Sequence, residues 1–167
     1  MGGSISPISI FLLMKKLLFC IMMFFNLLTY GQQIKEQLKS YKIDQLEKLQ
    51  KVEPRKVLIY VYASWCSYCK AMDQVVWRDT SIIRLLNRSV YFVKFDVEQQ
   101  DVVFFNGAKY DFKASKGVHD FVLEITRSKH QIAYPMLVLW SEDYKPLIEY
   151  HSFLSAKELK EILLAYL

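Results

Sequence analysis

Apolar positions along this chain follow two rhythms. Blocks of five to seven residues recur at 57–62 (Val-Leu-Ile-Tyr-Val-Tyr), 91–97 (Tyr-Phe-Val-Lys-Phe-Asp-Val) and 136–140 (Met-Leu-Val-Leu-Trp), unbroken except by Lys94 and Asp96 in the second. They are short, β-branched and aromatic, which predicts buried strands. Between them the spacing changes to three and four, which predicts helices. Residues 32–51 show it at Ile34, Leu38 and Tyr41, then at Leu46 and Leu49 with Asp44 as a cap, and Glu53-Pro54-Arg55 ends it. Lys70 to Trp77 carries a second helix, beginning near residue 67. Arg78-Asp79-Thr80 breaks it and caps a third with Ile82, Ile83, Leu85 and Leu86. Strand, helix and strand in that order predict a parallel crossover.

The pattern loosens over 98–134. Two apolar stretches, 102–105 and 109–112, flank Asn106-Gly107, the dipeptide that suits a tight hairpin turn. A helix is expected from about His119 to Arg127. After the 136–140 block, Glu142-Asp143-Tyr144 turns the chain and 147–150 returns as an antiparallel strand. Ser155 with Glu158 forms a capping box for a last helix, whose apolar face is Leu159, Ile162, Leu163 and Tyr166. No repeat or low-complexity linker divides 32–167, so one domain is expected there.

The composition is 53% hydrophobic, and part of that excess lies at the N-terminus. Residues 17–28 are almost unbroken apolar, preceded by Lys15 and Lys16 and followed by Thr29-Tyr30-Gly31. A basic start, an apolar core of about a dozen residues and small residues before the cut describe a secretory signal. The run is shorter than the roughly 20 residues of a spanning helix. Residues 1–31 are therefore expected to be a signal with cleavage at Gly31–Gln32, and the remainder an exported, periplasmic or secreted domain without stable membrane insertion. Met14 is an alternative start. The Met1-Gly2 myristoylation pattern conflicts with export and is set aside, as is a lipoprotein reading of Cys20, because Phe19 is too large for that motif. The net charge of +5 is spread over many Lys and Glu residues without a basic block, so nucleic acid is not an expected partner.

Signal removal leaves two cysteines, Cys66 and Cys69, in Trp65-Cys66-Ser67-Tyr68-Cys69-Lys70. They follow a strand and open a helix. The first sulfur is thus placed where free N–H groups and the helix dipole favour a thiolate. A structural disulfide in an oxidising compartment more often closes a long loop, which constrains the unfolded chain more. Structural zinc needs four ligands, and His119, His130 and His151 are scattered. Redox chemistry explains the pair better, with no organic cofactor, since the two thiols themselves carry two electrons.

The order of elements and this motif resemble thioredoxin over about residues 40–167. Trp65-Cys66-x-x-Cys69-Lys70 matches the superfamily's redox motif, and Tyr134-Pro135 lies where it places a cis-proline. Trp65 through Glu98 is similar, more narrowly, to small exported thioredoxin-like proteins and to the C-terminal reductase domain of the membrane thiol–disulfide interchange protein. The Asn-Gly hairpin resembles an insertion in exported thioredoxin-like proteins of Bacteroidetes. The resemblance implies an α/β thioredoxin-like fold: a central mixed sheet flanked by helices, with a hairpin-containing insertion before the cis-proline. It implies Cys66 as attacking thiolate and Cys69 as resolving thiol. Two departures stand out. Ser67-Tyr68 replaces the Gly-Pro of thioredoxin, and Tyr60 stands where thioredoxin has a buried aspartate.

Asp73 follows Cys69 by one helical turn and is a candidate proton acceptor for it, with a solvated surface acid as the alternative. The resemblance places an active-site acid there. Trp65, Tyr68, Tyr134 and Pro135 are candidate substrate contacts; Lys70 reads as solvated. The expected partners are protein thiols and disulfides and a membrane or envelope thiol reductase, acting on a monomer. The alternative function is a copper-binding or cytochrome-maturation accessory protein using the same two thiols.

Overall fold

The computed structural model describes residues 7–29, 36–127 and 132–167. They fall into two units, the first ending at Lys35 and the second running from Glu36 to Leu167. The first holds one helix, α1 (Pro7–Thr29), which spans the apolar run and its preceding lysines. Among the described residues no helix is long and apolar enough to cross a membrane. The expected cleavage point at Gly31–Gln32 lies outside the described residues.

The second unit is built on four strands in the order β2 (Val90–Asp96), β1 (Lys56–Tyr62), β7 (Met136–Trp140) and β8 (Pro146–Tyr150). β1 (Lys56–Tyr62) and β2 (Val90–Asp96) pair in parallel, from Lys56 opposite Val90 to Tyr62 opposite Asp96. The crossover between them carries α3 (Ser67–Val75) and α4 (Thr80–Ser89). β7 (Met136–Trp140) runs antiparallel to β1, and β8 (Pro146–Tyr150) antiparallel to β7. Strands covered on both faces lose the need for alternation, so Val57–Val61 and all of β7 are buried. The sheet is mixed, as expected.

α4 starts where the sequence places its cap: Asp79 Oδ1 accepts the N–H groups of Ser81 and Ile82 at 2.8 and 3.1 Å. The last helix, α6 (Ala156–Tyr166), carries the full capping box of Ser155 and Glu158. In the insertion, β3 (Val103–Phe105) and β4 (Ala108–Tyr110) form the expected hairpin. Asn106 and Gly107 take φ of 51° and 74°, the left-handed pair that a two-residue hairpin turn requires.

Four expectations are corrected. The helix read over 32–51 is short: 36–42 is not helical, a 3₁₀ turn covers Ile43–Gln45, and α2 is Leu46–Val52. Neighbours satisfy the backbone that a helix would have satisfied, because Tyr41 N–H donates to the Phe92 carbonyl at 2.8 Å and Lys39 N–H to Asn87 Oδ1 at 2.9 Å. Leu38 and Tyr41 still pack on the core, so their spacing reports burial without a helix. Asp44 sits inside the turn, and the Lys42 N–H is taken by Gln45 Oε1 instead. α3 ends at Val75, where the Trp77 N–H turns back to the Met72 carbonyl. Finally, His119 caps rather than begins the helix near 119–127. It closes a second small pairing of β5 (Phe112–Lys113) with β6 (Val118–His119), and α5 is Asp120–Ile125.

Candidate active site

β1 ends at Tyr62, and a turn closed by the Cys66 N–H on the Ala63 carbonyl (3.1 Å) lifts the chain into α3. Cys66 is the N-cap of that helix. Its sulfur accepts the Cys69 N–H at 3.0 Å and its carbonyl accepts the Lys70 N–H at 3.1 Å. The two sulfurs are bonded to each other, with Cα atoms 5.2 Å apart. A sulfur held at a helix N-terminus by a backbone donor gains most when it is anionic.

Cys66 is more covered than its expected role as an accessible nucleophile implies. It is 5% exposed and Cys69 1%, whereas Trp65 and Tyr68 beside them are 65% and 64% exposed. The disulfide therefore lies at the floor of an aromatic rim. Trp65 meets the Tyr134 ring edge-on at 6.0 Å, and Tyr68 lies 6.4 Å from Phe153. The Tyr134–Pro135 peptide is cis, and Pro135 leads directly into β7. The structure thus brings Trp65 and Tyr134 together. Tyr68 stands on the Phe153 side, and Lys70 is exposed.

Beneath α3 lies a polar cluster. Asp73 pairs with Lys94 of β2 at 2.7 Å, both side chains about one-third exposed. Lys94 also lies over the Tyr62 ring at 4.6 Å and the Tyr60 ring at 5.9 Å. Tyr60 is fully buried and donates its hydroxyl to the Cys69 carbonyl at 3.1 Å. Burial, reinforced by the Asp73 carboxylate, pushes the Tyr60 phenol well above its ordinary value. Tyr60 thus stays neutral, and the Asp73 carboxylate is held by Lys94.

Sequence reasoning missed three of these groups. Glu98 accepts the Trp65 indole N–H and the Ser64 hydroxyl, each at 3.2 Å, and so fixes the rim. Burial, then the Glu98 charge, pushes the Tyr134 phenol up to about 12. Lys94 and Phe153 were likewise unassigned. Lys94 could have been found only from the parallel register that sets it opposite Tyr60. Among the described residues no cluster of three or more His, Cys, Asp or Glu side chains could hold a metal ion.

A mixed sheet, a helix opening on a Cys-x-x-Cys disulfide and an aromatic rim around it define a protein-disulfide oxidoreductase. The thioredoxin-like domain family matches residues 43–167, and the chain belongs to that family. No curated protein sequence matches it. Solved structures share the fold. The DsbH oxidoreductase superposes with a TM-score of 0.57 at 14% identity, covering 81% of this chain and 89% of its own. A thioredoxin from Thermus thermophilus gives 0.56 at 17%, covering 77% and 86%. The oxidised C-terminal domain of Neisseria meningitidis DsbD gives 0.51 at 16%, covering 72% and 88%.

Proposed function

We propose that the chain is an exported thiol–disulfide oxidoreductase that reduces or exchanges disulfides of envelope or secreted proteins. We further propose that a membrane or envelope thiol reductase supplies its electrons. The observation that carries the chemistry is the Cys66 sulfur at the N-terminus of α3, accepting the Cys69 N–H. The basic, apolar character of residues 14–28 supports export. In the reduced protein, the Cys66 thiolate attacks a substrate disulfide, forming a mixed disulfide and releasing one substrate thiolate. Cys69 loses its proton to Asp73 and attacks the Cys66 sulfur. The Cys66–Cys69 bond closes and the second substrate thiolate leaves; the substrate has gained two electrons, and its thiolates take up one proton returned through Asp73 and one from solvent. A dithiol donor then reopens the pair.

Insulin reduction with added dithiol tests this reading. Cys66→Ser is expected to abolish turnover, and Cys69→Ser to accumulate a mixed disulfide visible on a non-reducing gel. Full turnover by Cys66→Ser would refute the assignment. Fractionation of the native host tests export: the mature protein is expected outside the cytoplasm, beginning near Gln32 by N-terminal sequencing.

A further inference from the structure

Glu149 of β8 and His151, the residue after that strand, form a polar bridge that the exchange chemistry does not use. The Glu149 side chain is only 10% exposed. One of its carboxylate oxygens accepts the Arg127 backbone N–H at 2.8 Å, and the other meets His151 Nε2 at 2.6 Å. The second ring nitrogen, Nδ1, lies 3.3 Å from the Ala133 carbonyl oxygen. A carboxylate this covered is costly unless its oxygens are bonded, so Glu149 holds these partners firmly. It grips the chain at Arg127 directly and, when both ring nitrogens of His151 carry a proton and so donate to the two acceptors, at Ala133 through His151. Ala133 is bonded to Tyr134, whose ring meets Trp65 at 6.0 Å. The bridge thus runs from the outer strand of the sheet to the rim over the cysteines.

We propose that Glu149 and His151 form a clamp that positions Ala133 and Tyr134 for docking of a protein disulfide, with His151 as the positioning residue. This deepens the exchange reading and rests on it. A folded or extended protein substrate lies across the rim and needs that backbone fixed. A small disulfide reaches Cys66 without it. The clamp therefore acts on KM for protein substrates and leaves the electron chemistry of Cys66 and Cys69 alone.

The test uses the full chain with His151→Ala and His151→Gln. The His151 side chain is one-fifth exposed, so its truncation leaves the buried core intact. Four quantities are read: KM and kcat for insulin, the rate with a small aromatic disulfide, the equilibrium potential against glutathione, and amide hydrogen exchange at Ala133 and Tyr134. His151→Ala is expected to raise the insulin KM about tenfold, the loss of one charge-assisted bond. The small-disulfide rate and the potential stay unchanged, and exchange at Tyr134 quickens. His151→Gln, which keeps an N–H donor, recovers part of the KM. An unchanged insulin KM, or an equal fall in the small-disulfide rate, overturns the clamp. If the wild-type protein exchanges no protein disulfide, the proposed function fails separately. Hydrogen exchange then decides the clamp, and unaltered protection at Tyr134 in His151→Ala overturns it.

Discussion

The Cys69 N–H that Cys66 accepts at 3.0 Å comes from the same residue whose thiol must later displace the substrate. Attack and resolution are thus served by one turn of α3, but the proton of Cys69 needs a separate home. Tyr60 cannot take it, being buried and held neutral. The acceptor we propose is Asp73, whose carboxylate pairs with Lys94 of β2 at 2.7 Å. Asp73→Asn is therefore expected to slow release of the mixed disulfide about a hundredfold or more, with the first attack unchanged. Stopped-flow separation of the two phases checks this; equal rates in both would leave Asp73 only its ion pair. At this scale the sequence disclosed what is local. Cys66, Cys69, Trp65 and Asp73 sit within nine residues of one another, and spacing along one helix is readable. Lys94 and Glu98 arrive from another strand, so their approach depends on a register that no single sequence prints.

At the scale of elements, caps and turns were legible because their chemistry is contained in a few neighbouring residues. Asp79 illustrates the energetics. The Ser81 hydroxyl first, then the Ile82 N–H, hold its carboxyl below the usual carboxylate range. A depressed folded value means that the ionised form stabilises the fold. That contribution is complete above the unfolded value of about 3.9 and disappears as pH falls through the lower folded one. Asp79→Ala is expected to cost about 1 kcal/mol at neutral pH. Its deficit against the wild type should shrink as urea titrations move below about pH 4. The Asn106-Gly107 turn makes a second case. A Cβ on Gly107 would meet nothing within 4 Å, yet its φ is +74°. Gly107→Ala therefore adds backbone strain alone, an expected loss of about 1–2 kcal/mol by urea denaturation. Elements whose backbone partners lie far away were misread. Residues 36–42 have helical spacing, but their N–H groups at Lys39 and Tyr41 bond to Asn87 and Phe92. The β5–β6 pairing escaped because two-residue strands carry no periodicity.

At the scale of the whole molecule, the strand–helix–strand order foretold the parallel pair and the return at 147–150 the antiparallel one, while the central mixed sheet was what the resemblance to thioredoxin implied. The strand order then places the C-terminal ends of β1 and β2 side by side, with Tyr62 opposite Asp96. Cys66 and Glu98, just beyond those ends, consequently meet the same rim. The site groups named above all lie within residues 36–167: the helix cap, the Tyr60 hydroxyl, the Asp73–Lys94 pair, Glu98 and Tyr134. The first unit ends at Lys35. A chain beginning at Glu36 is accordingly expected to keep the wild-type reduction potential and the wild-type midpoint in urea. Potential and stability are linked, because the potential reports how folding favours disulfide over dithiol. A shift of about 30 mV would correspond to about 1.4 kcal/mol and would have to reappear as a difference in stability between oxidised and reduced forms. Glutathione equilibration and urea titration of both forms, with and without residues 1–35, close that cycle. Agreement places the redox poise wholly within the second unit, and a potential that moves on truncation would mean that the N-terminal segment reaches the cysteines.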